Sequence, residues 1–208
     1  MVAGAPGAGK STVAALLAAR LDPRPALLDK DTVYGPFVAA MLRDAGRPPG
    51  EREGAWYDRH VKIHEYAGLI ATAREIRAHG CPVLLVGPFT GQIRDPAAWE
   101  AWCEQLGGGE VRLLWVGCAP EVLRRRLIAR ASERDGAKLD AYAAFVERMQ
   151  PGTPPPVPHL ALDNSADDST DERVDDSAGN RAEDGPGASA GSRLADRVQA
   201  AVSRIQSR

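Results

Sequence analysis

Nine residues near the amino terminus have the types and spacing to hold a chain of phosphates: Gly4-Ala5-Pro6-Gly7-Ala8-Gly9-Lys10-Ser11-Thr12. They complete the pattern G-x-x-x-x-G-K-[ST] of a phosphate-binding loop, or P-loop. Glycine lets the backbone turn successive N–H groups inward on one anion, where a Cβ would forbid it. A helix beginning near Gly9 would point its positive end at the same place. Lys10 supplies a point charge for the β- and γ-phosphates, and the Ser11 hydroxyl suits Mg²⁺. A plain small-residue turn would not need the whole pattern, so the reading is a nucleoside triphosphate site formed by Gly4 to Thr12.

A second group of chemistry-bearing residues is Asp29-Lys30-Asp31-Thr32, which ends the short apolar run Ala26-Leu27-Leu28. In an open α/β sheet, chemistry gathers beyond the carboxyl ends of strands. Two carboxylates there can face a γ-phosphate. Asp29 is expected to help hold Mg²⁺ and Asp31 to accept a proton from an attacking hydroxyl. The competing reading is that Asp31 only caps the next helix. A third group is the arginine-rich stretch Arg124 to Arg134. Arg126, Arg130 and Arg134 fall at steps of four, which a helix keeps on one side. Such a lid would neutralise a phosphoryl group in transit and exclude water, with Arg130 the catalytic member.

The elements that must position these groups alternate between strands and helices. The helical run Val13–Ala19 follows the loop, and residues 32–80 look helical with a break at Gly46-Arg47-Pro48-Pro49-Gly50. Trp56, Ile63, Tyr66, Ala67 and Ile70 have the spacing of a core-facing stripe, and Arg59 and His60 are left as substrate candidates. Cys81–Val86 reads as the clearest buried strand, Val111–Val116 as the fourth and Pro158–Asn164 as the fifth. The third strand ends in Gly87, where many P-loop ATPases carry an acidic magnesium contact. That places more of the role on Asp29 or Asp31 and argues against a motor or GTPase switch. Thr90 and Arg94 lie beyond it as candidate substrate contacts. Only Met1-Val2-Ala3 precede the loop, whereas a buried strand typically needs about five residues. A start a few codons upstream is therefore expected.

Bulk properties agree. The 208 residues suit one domain with a sizeable core, and a net charge of −2 gives no case for a nucleic-acid or membrane surface. Three scattered cysteines read as reduced thiols in a cytoplasmic protein, and no apolar run is long enough to cross a bilayer. From Asp163 to Arg193 the chain has nine acidic residues against three arginines and no apolar period. Residues 165–192 are expected to be a disordered acidic insertion. The amphipathic stretch 193–208 is expected to dock back as the last helix.

With these pieces, the chain resembles P-loop small-molecule kinases, among them shikimate kinase, gluconate kinase, chloramphenicol phosphotransferase and zeta-toxin-like kinases. It looks closest to the kinase-like group called AAA family ATPases. The resemblance runs over residues 1–164 and the last helix. It implies a three-layer α/β fold whose five-stranded parallel sheet has order 2-3-1-4-5, with helices on both faces. Also implied are an acceptor region at 32–80 and a small lid at about 124–140. ATP and Mg²⁺ are the implied cofactors, with Asn164 near the adenine at the exit of strand five. The acceptor would be a hydroxyl on a small molecule, although the glycine-rich acceptor loop of shikimate kinase is absent. Two other functions stay open: a nucleotide-dependent switch that binds a protein partner, and a nucleic-acid end kinase. Oligonucleotide binding with a steep salt dependence would favour the latter.

Overall fold

The computed structural model describes residues 1–48, 50–166 and 190–207. Among these, five parallel strands form one sheet in the order β2-β3-β1-β4-β5, as the resemblance implies. The elements run β1 (Val2–Ala3), α1 (Lys10–Arg20), β2 (Ala26–Asp29), α2 (Lys30–Asp44), α3 (Ala55–Tyr57), α4 (Ile63–Ala78) and β3 (Val83–Gly87). Then come α5 (Thr90–Ile93), α6 (Pro96–Gln105), β4 (Leu114–Gly117), α7 (Pro120–Arg130), α8 (Gly136–Asp140), α9 (Tyr142–Met149), β5 (Leu160–Asp163) and α10 (Ala190–Gln206).

Side-chain alternation along the strands divides the core into two layers. Val2, Leu84, Val86, Leu114, Val116 and Leu162 point to one face, where α1, α7, α9 and α10 cover them. Ala3, Leu85, Leu113 and Trp115 point to the other, beneath Tyr66, Leu69 and Ala73 of α4 and Trp99 and Trp102 of α6. Both faces of a parallel sheet must be covered, and this is why its strands read as nearly continuous apolar runs. The last helix docks through Val198, Ala201 and Val202, which are buried against the α1 side. Most of the expected acidic insertion, residues 167–189, lies outside the described residues.

β1 is two residues long and still central, pairing Val2 with Val86 and with Leu114. Its amide partners extend to Met1, whose carbonyl accepts from Leu114 N–H at 2.8 Å. Three local expectations need correction in whole or in part. The strand expected at Val111–Val116 is Leu114–Gly117, because Arg112 lies before the pairing begins. The Pro151–Pro156 stretch, whose prolines read as a stiff linker, is packed against the core, with Pro151 and Pro155 buried and the Pro151 carbonyl accepting from Cys118 N–H. The expected stripe on residues 56–70 holds in part: Tyr66 is buried and Trp56 and Ile70 pack against the core, but Ile63 and Ala67 are exposed. A π-helical turn at Asp58–Lys62 inserts an extra residue between α3 and α4. The buried positions become Tyr57, Val61, Glu65, Tyr66, Leu69 and Ala73, while Ile63 is 55 % exposed.

Candidate active site

The P-loop leaves β1 and enters α1. Gly9 adopts φ 90°, and a Cβ there would come within 2.4 Å of Asn164 Nδ2. At Gly4 a Cβ would come within 2.4 Å of the Val116 carbonyl oxygen. The loop can follow this path only with glycine at both places. Asn164, 6 % exposed at the end of β5, donates from Nδ2 to the Ala8 carbonyl at 2.9 Å and ties the loop to the sheet. The Lys10 ammonium donates back to the Ala5 carbonyl at 2.9 Å. Burial draws the Lys10 pKa down to about 8, against the pull of Asp31 and Asp29.

Ser11 Oγ donates to Asp29 Oδ2 at 2.6 Å. The two residues expected to hold a metal therefore meet, 18 positions apart in the chain. The other carboxylate oxygen, Oδ1, accepts from Asp31 N–H at 2.9 Å, so Asp29 is the cap of α2. The helix-cap role considered for Asp31 belongs to Asp29, and Asp31 is free to project from the first turn. Its carboxylate lies 3.3 Å from Lys30 Nζ and 3.1 Å from Arg134. Burial tends to raise its pKa, but Lys30, Arg134 and Lys10 outweigh that and hold it below the usual carboxylate range.

The arginines arrive differently from the expectation. α7 ends at Arg130 because Ala131 takes φ 46°, a left-handed stop. Arg134 follows on a 3₁₀ turn, Glu133–Asp135, so the three arginines do not share one helix. They still converge on one cavity. Arg130 Nε donates at 2.7 Å to Asp135, which is fully buried and also paired with Lys138 at 3.1 Å. Arg126 donates to the carbonyls of Asn164 at 2.9 Å and Ala166 at 3.0 Å.

That cavity has a volume of about 850 Å³. Gly7, Gly9, Lys10, Ser11, Thr12 and Asp29 line one end of it, Tyr57, Lys62, Glu65 and Tyr66 belong to its helical wall, and Arg52 joins them from the loop before α3. Gly4, Ala5, Ala8 and Asn164 stand behind the lining. Asp31, Lys30, Thr90, Arg126, Arg130 and Arg134 also face it. Arg59 and His60 are exposed and do not face it, and neither does Arg94. The guanidinium of Arg94 is spent on the carbonyls of Met149, Gln150 and Pro154.

Glu65 was not singled out from the sequence. It is 1 % exposed, accepts from Lys30 Nζ at 2.9 Å, and takes the Tyr57 hydroxyl on its other oxygen. Burial and this carboxylate push the Tyr57 pKa far up, so the phenol stays protonated. A signal existed: Tyr57 and Glu65 stand eight apart, two turns on one face, had the acidic residue been admitted to the stripe.

A cofactor test follows from the donor set. The glycine-built cradle fits a phosphate chain, and the hydroxyl and carboxylate oxygens of Ser11 and Asp29 suit a hard cation such as Mg²⁺. No cluster of three or more His, Cys, Asp or Glu able to hold a metal occurs among the described residues. Magnesium bound beside phosphates needs only one or two protein oxygens. No described helix is long and apolar enough to cross a membrane.

Sheet order, loop and cavity together define a protein with the fold of the P-loop small-molecule kinases. A family model described as an AAA domain matches residues 1–156, and the chain belongs to that family. Solved structures share the fold. A candidate kinase from Chloroflexus aurantiacus is 19 % identical with a TM-score of 0.56, over 99 % of this chain and 94 % of that one. The APS kinase of Mycobacterium tuberculosis, solved with AMPPNP and APS, is 17 % identical with a TM-score of 0.54, over 99 % and 95 %. A sugar kinase from Janibacter is 20 % identical with a TM-score of 0.53, over 78 % and 83 %. No curated protein matches significantly.

Proposed function

We propose that the protein transfers the γ-phosphoryl group of ATP to a hydroxyl of a small molecule. The observation that carries this reading is the meeting of Lys10, Ser11, Asp29 and Asp31 on one cavity that also has a helical wall. A phosphate cradle alone would suit a switch. An ionised carboxylate beside it, held by Lys30 and Arg134 and facing space for a second molecule, suits group transfer.

Lys10 and the loop amides hold the β- and γ-phosphates. Ser11 and Asp29 would hold Mg²⁺, which supplies charge neutralisation to the phosphates when bound. Asp31 stays ionised, so it can orient the acceptor hydroxyl and take its proton as the O–P bond forms. Arg130, fixed by Asp135, and Arg126 and Arg134 face the phosphates and spread the charge of the transferring group. The segment 124–140 thus acts as the lid. Asn164 serves by holding the loop in shape.

The test is a screen of hydroxylated metabolites for an ATP-dependent mass gain of one phosphoryl group. Labelled product is expected with wild-type protein and absent with Lys10→Ala. A broad panel that yields no product, while ATP alters capture of a protein partner, would replace this reading with the switch.

A further inference from the structure

The charged groups at the helical end of the cavity pair off, with one exception. Asp58 takes Lys62 at 3.0 Å, Glu65 takes Lys30, and Glu53 takes Arg148. Arg52 has no carboxylate partner in the described structure. One of its terminal nitrogens, Nη2, donates weakly to the Gly35 carbonyl at 3.4 Å, while Nε and Nη1 are buried and donate to nothing. A half-buried guanidinium with two buried, idle donors is costly unless something completes it.

The charge of the whole cavity gives an independent count. Among described residues, nine basic and five acidic side chains line it. Asp135 behind Arg130 and Lys138 makes a sixth acid, which leaves three positive charges. A magnesium-bound triphosphate brings about two negative charges. One positive charge is left over. Lys10, Arg126 and Arg52 are the lining cations without an acid, and the first two belong with the phosphates, which leaves Arg52.

We propose that Arg52 receives an oxyanion, a carboxylate or a phosphate, carried by the acceptor, so that the substrate is a hydroxylated anion and not a neutral alcohol. This rests on the phosphotransfer reading above. Releasing the 3.4 Å contact to Gly35 lets the guanidinium turn an N–H edge into the cavity, where a planar fork suits either oxyanion. Asp31 would then meet the hydroxyl of a molecule held by its charged end.

The experiment is calorimetry on the full chain with Mg²⁺ and AMPPNP, titrated with three matched pairs. These are glycerate against glycerol, glucuronate against glucose, and ribose 5-phosphate against ribose. The charged member of at least one pair is expected to bind at least about tenfold more tightly, and Arg52→Gln to remove about ten- to a hundredfold of that affinity. The carboxylate pairs and the phosphate pair separate the two oxyanions. Arg52→Lys keeps the charge without the fork and should fall severalfold; it carries the test if Arg52→Gln does not fold. AMPPNP affinity should hold in both variants. Charged members that bind no better than neutral ones, absence of binding included, overturn the assignment, as does a preference untouched by both variants. Transfer to a neutral hydroxyl at wild-type rate in the Arg52 variants would remove the anion and leave the kinase standing. Failure of wild-type protein to bind AMPPNP would remove the kinase itself.

Discussion

Lys30 Nζ donates to Glu65 Oε1 at 2.9 Å inside the protein, where the lysine is 6 % exposed and the glutamate 1 %. The pair joins the first turn of α2 to α4, the helix that walls the acceptor end. Because Asp31 follows Lys30 directly, the pair also fixes how the proposed base enters the cavity. Glu65→Ala would leave the buried ammonium only the longer 3.3 Å contact to Asp31 and the Tyr57 hydroxyl without its acceptor. The expected cost is about 3–5 kcal/mol of stability. Replacing both partners, Lys30→Met with Glu65→Leu, should recover much of that loss, because two apolar groups need no partners. A denaturant series on the three proteins would check it. Equal losses in the single and double variants would contradict the buried pairing.

Asp31 gives a prediction about pH. Its carboxylate is held below the usual range by Lys30, Arg134 and Lys10, against the effect of burial. Arg134→Ala removes one of those cations, so the Asp31 pKa must rise. The acidic limb of the kcat/KM profile should then move to higher pH. Asp31→Asn should abolish that limb and lower turnover about 10²- to 10⁴-fold while ATP affinity holds. A limb that stays in place in Arg134→Ala would assign it to another group.

The phosphate cradle makes a steric prediction. At Gly9 a new Cβ meets Asn164 Nδ2 at 2.4 Å, on a backbone with φ +90°. Gly9→Ala should therefore lose about 1–3 kcal/mol of stability and most of its affinity for ATP. Adding Asn164→Ala removes the collision but not the backbone strain, so stability should return only in part. Thermal unfolding and ATP titration of both variants decide this. Full recovery in the double variant would mean that the left-handed conformation costs nothing here.

How far the sequence foretold these features depends on what each signal records. The P-loop was legible because its letters are dictated by one backbone path, and Gly4 and Gly9 sit where a side chain would collide. The sheet order came from resemblance, while buried runs such as Val83–Val86 marked the strands by themselves. The phase of α4 was legible only in part. A π-helical turn at Asp58–Lys62 changes the phase, leaving Ile63 exposed and burying Glu65 while Tyr66 stays on the core face. That shift hid Glu65, since an acidic residue at an apolar position looks like an error until Lys30 and Tyr57 are seen against it. The arginines at 126, 130 and 134 were chosen for helical spacing, yet the helix stops at Arg130. They reach the same cavity because the chain folds back through Asp135, a contact that periodicity cannot encode.

Lys10 offers the most direct test of the site. Burial lowers its pKa from the ordinary 10.5 to about 8, with Asp31 and Asp29 opposing the fall. Without ligand, about half of the molecules at pH 8 therefore carry a neutral amine. A bound triphosphate requires the ammonium and raises its pKa. Nucleotide binding at pH 8 should then take up about half a proton, and well below that pH almost none. Above pH 8 affinity should fall by up to about tenfold per pH unit, because the free protein must first regain the proton. Calorimetry of ATP binding in buffers with different ionisation enthalpies reads the uptake directly. Zero uptake at pH 8, with binding intact, would mean that the Lys10 ammonium is already fully charged or does not meet the phosphates.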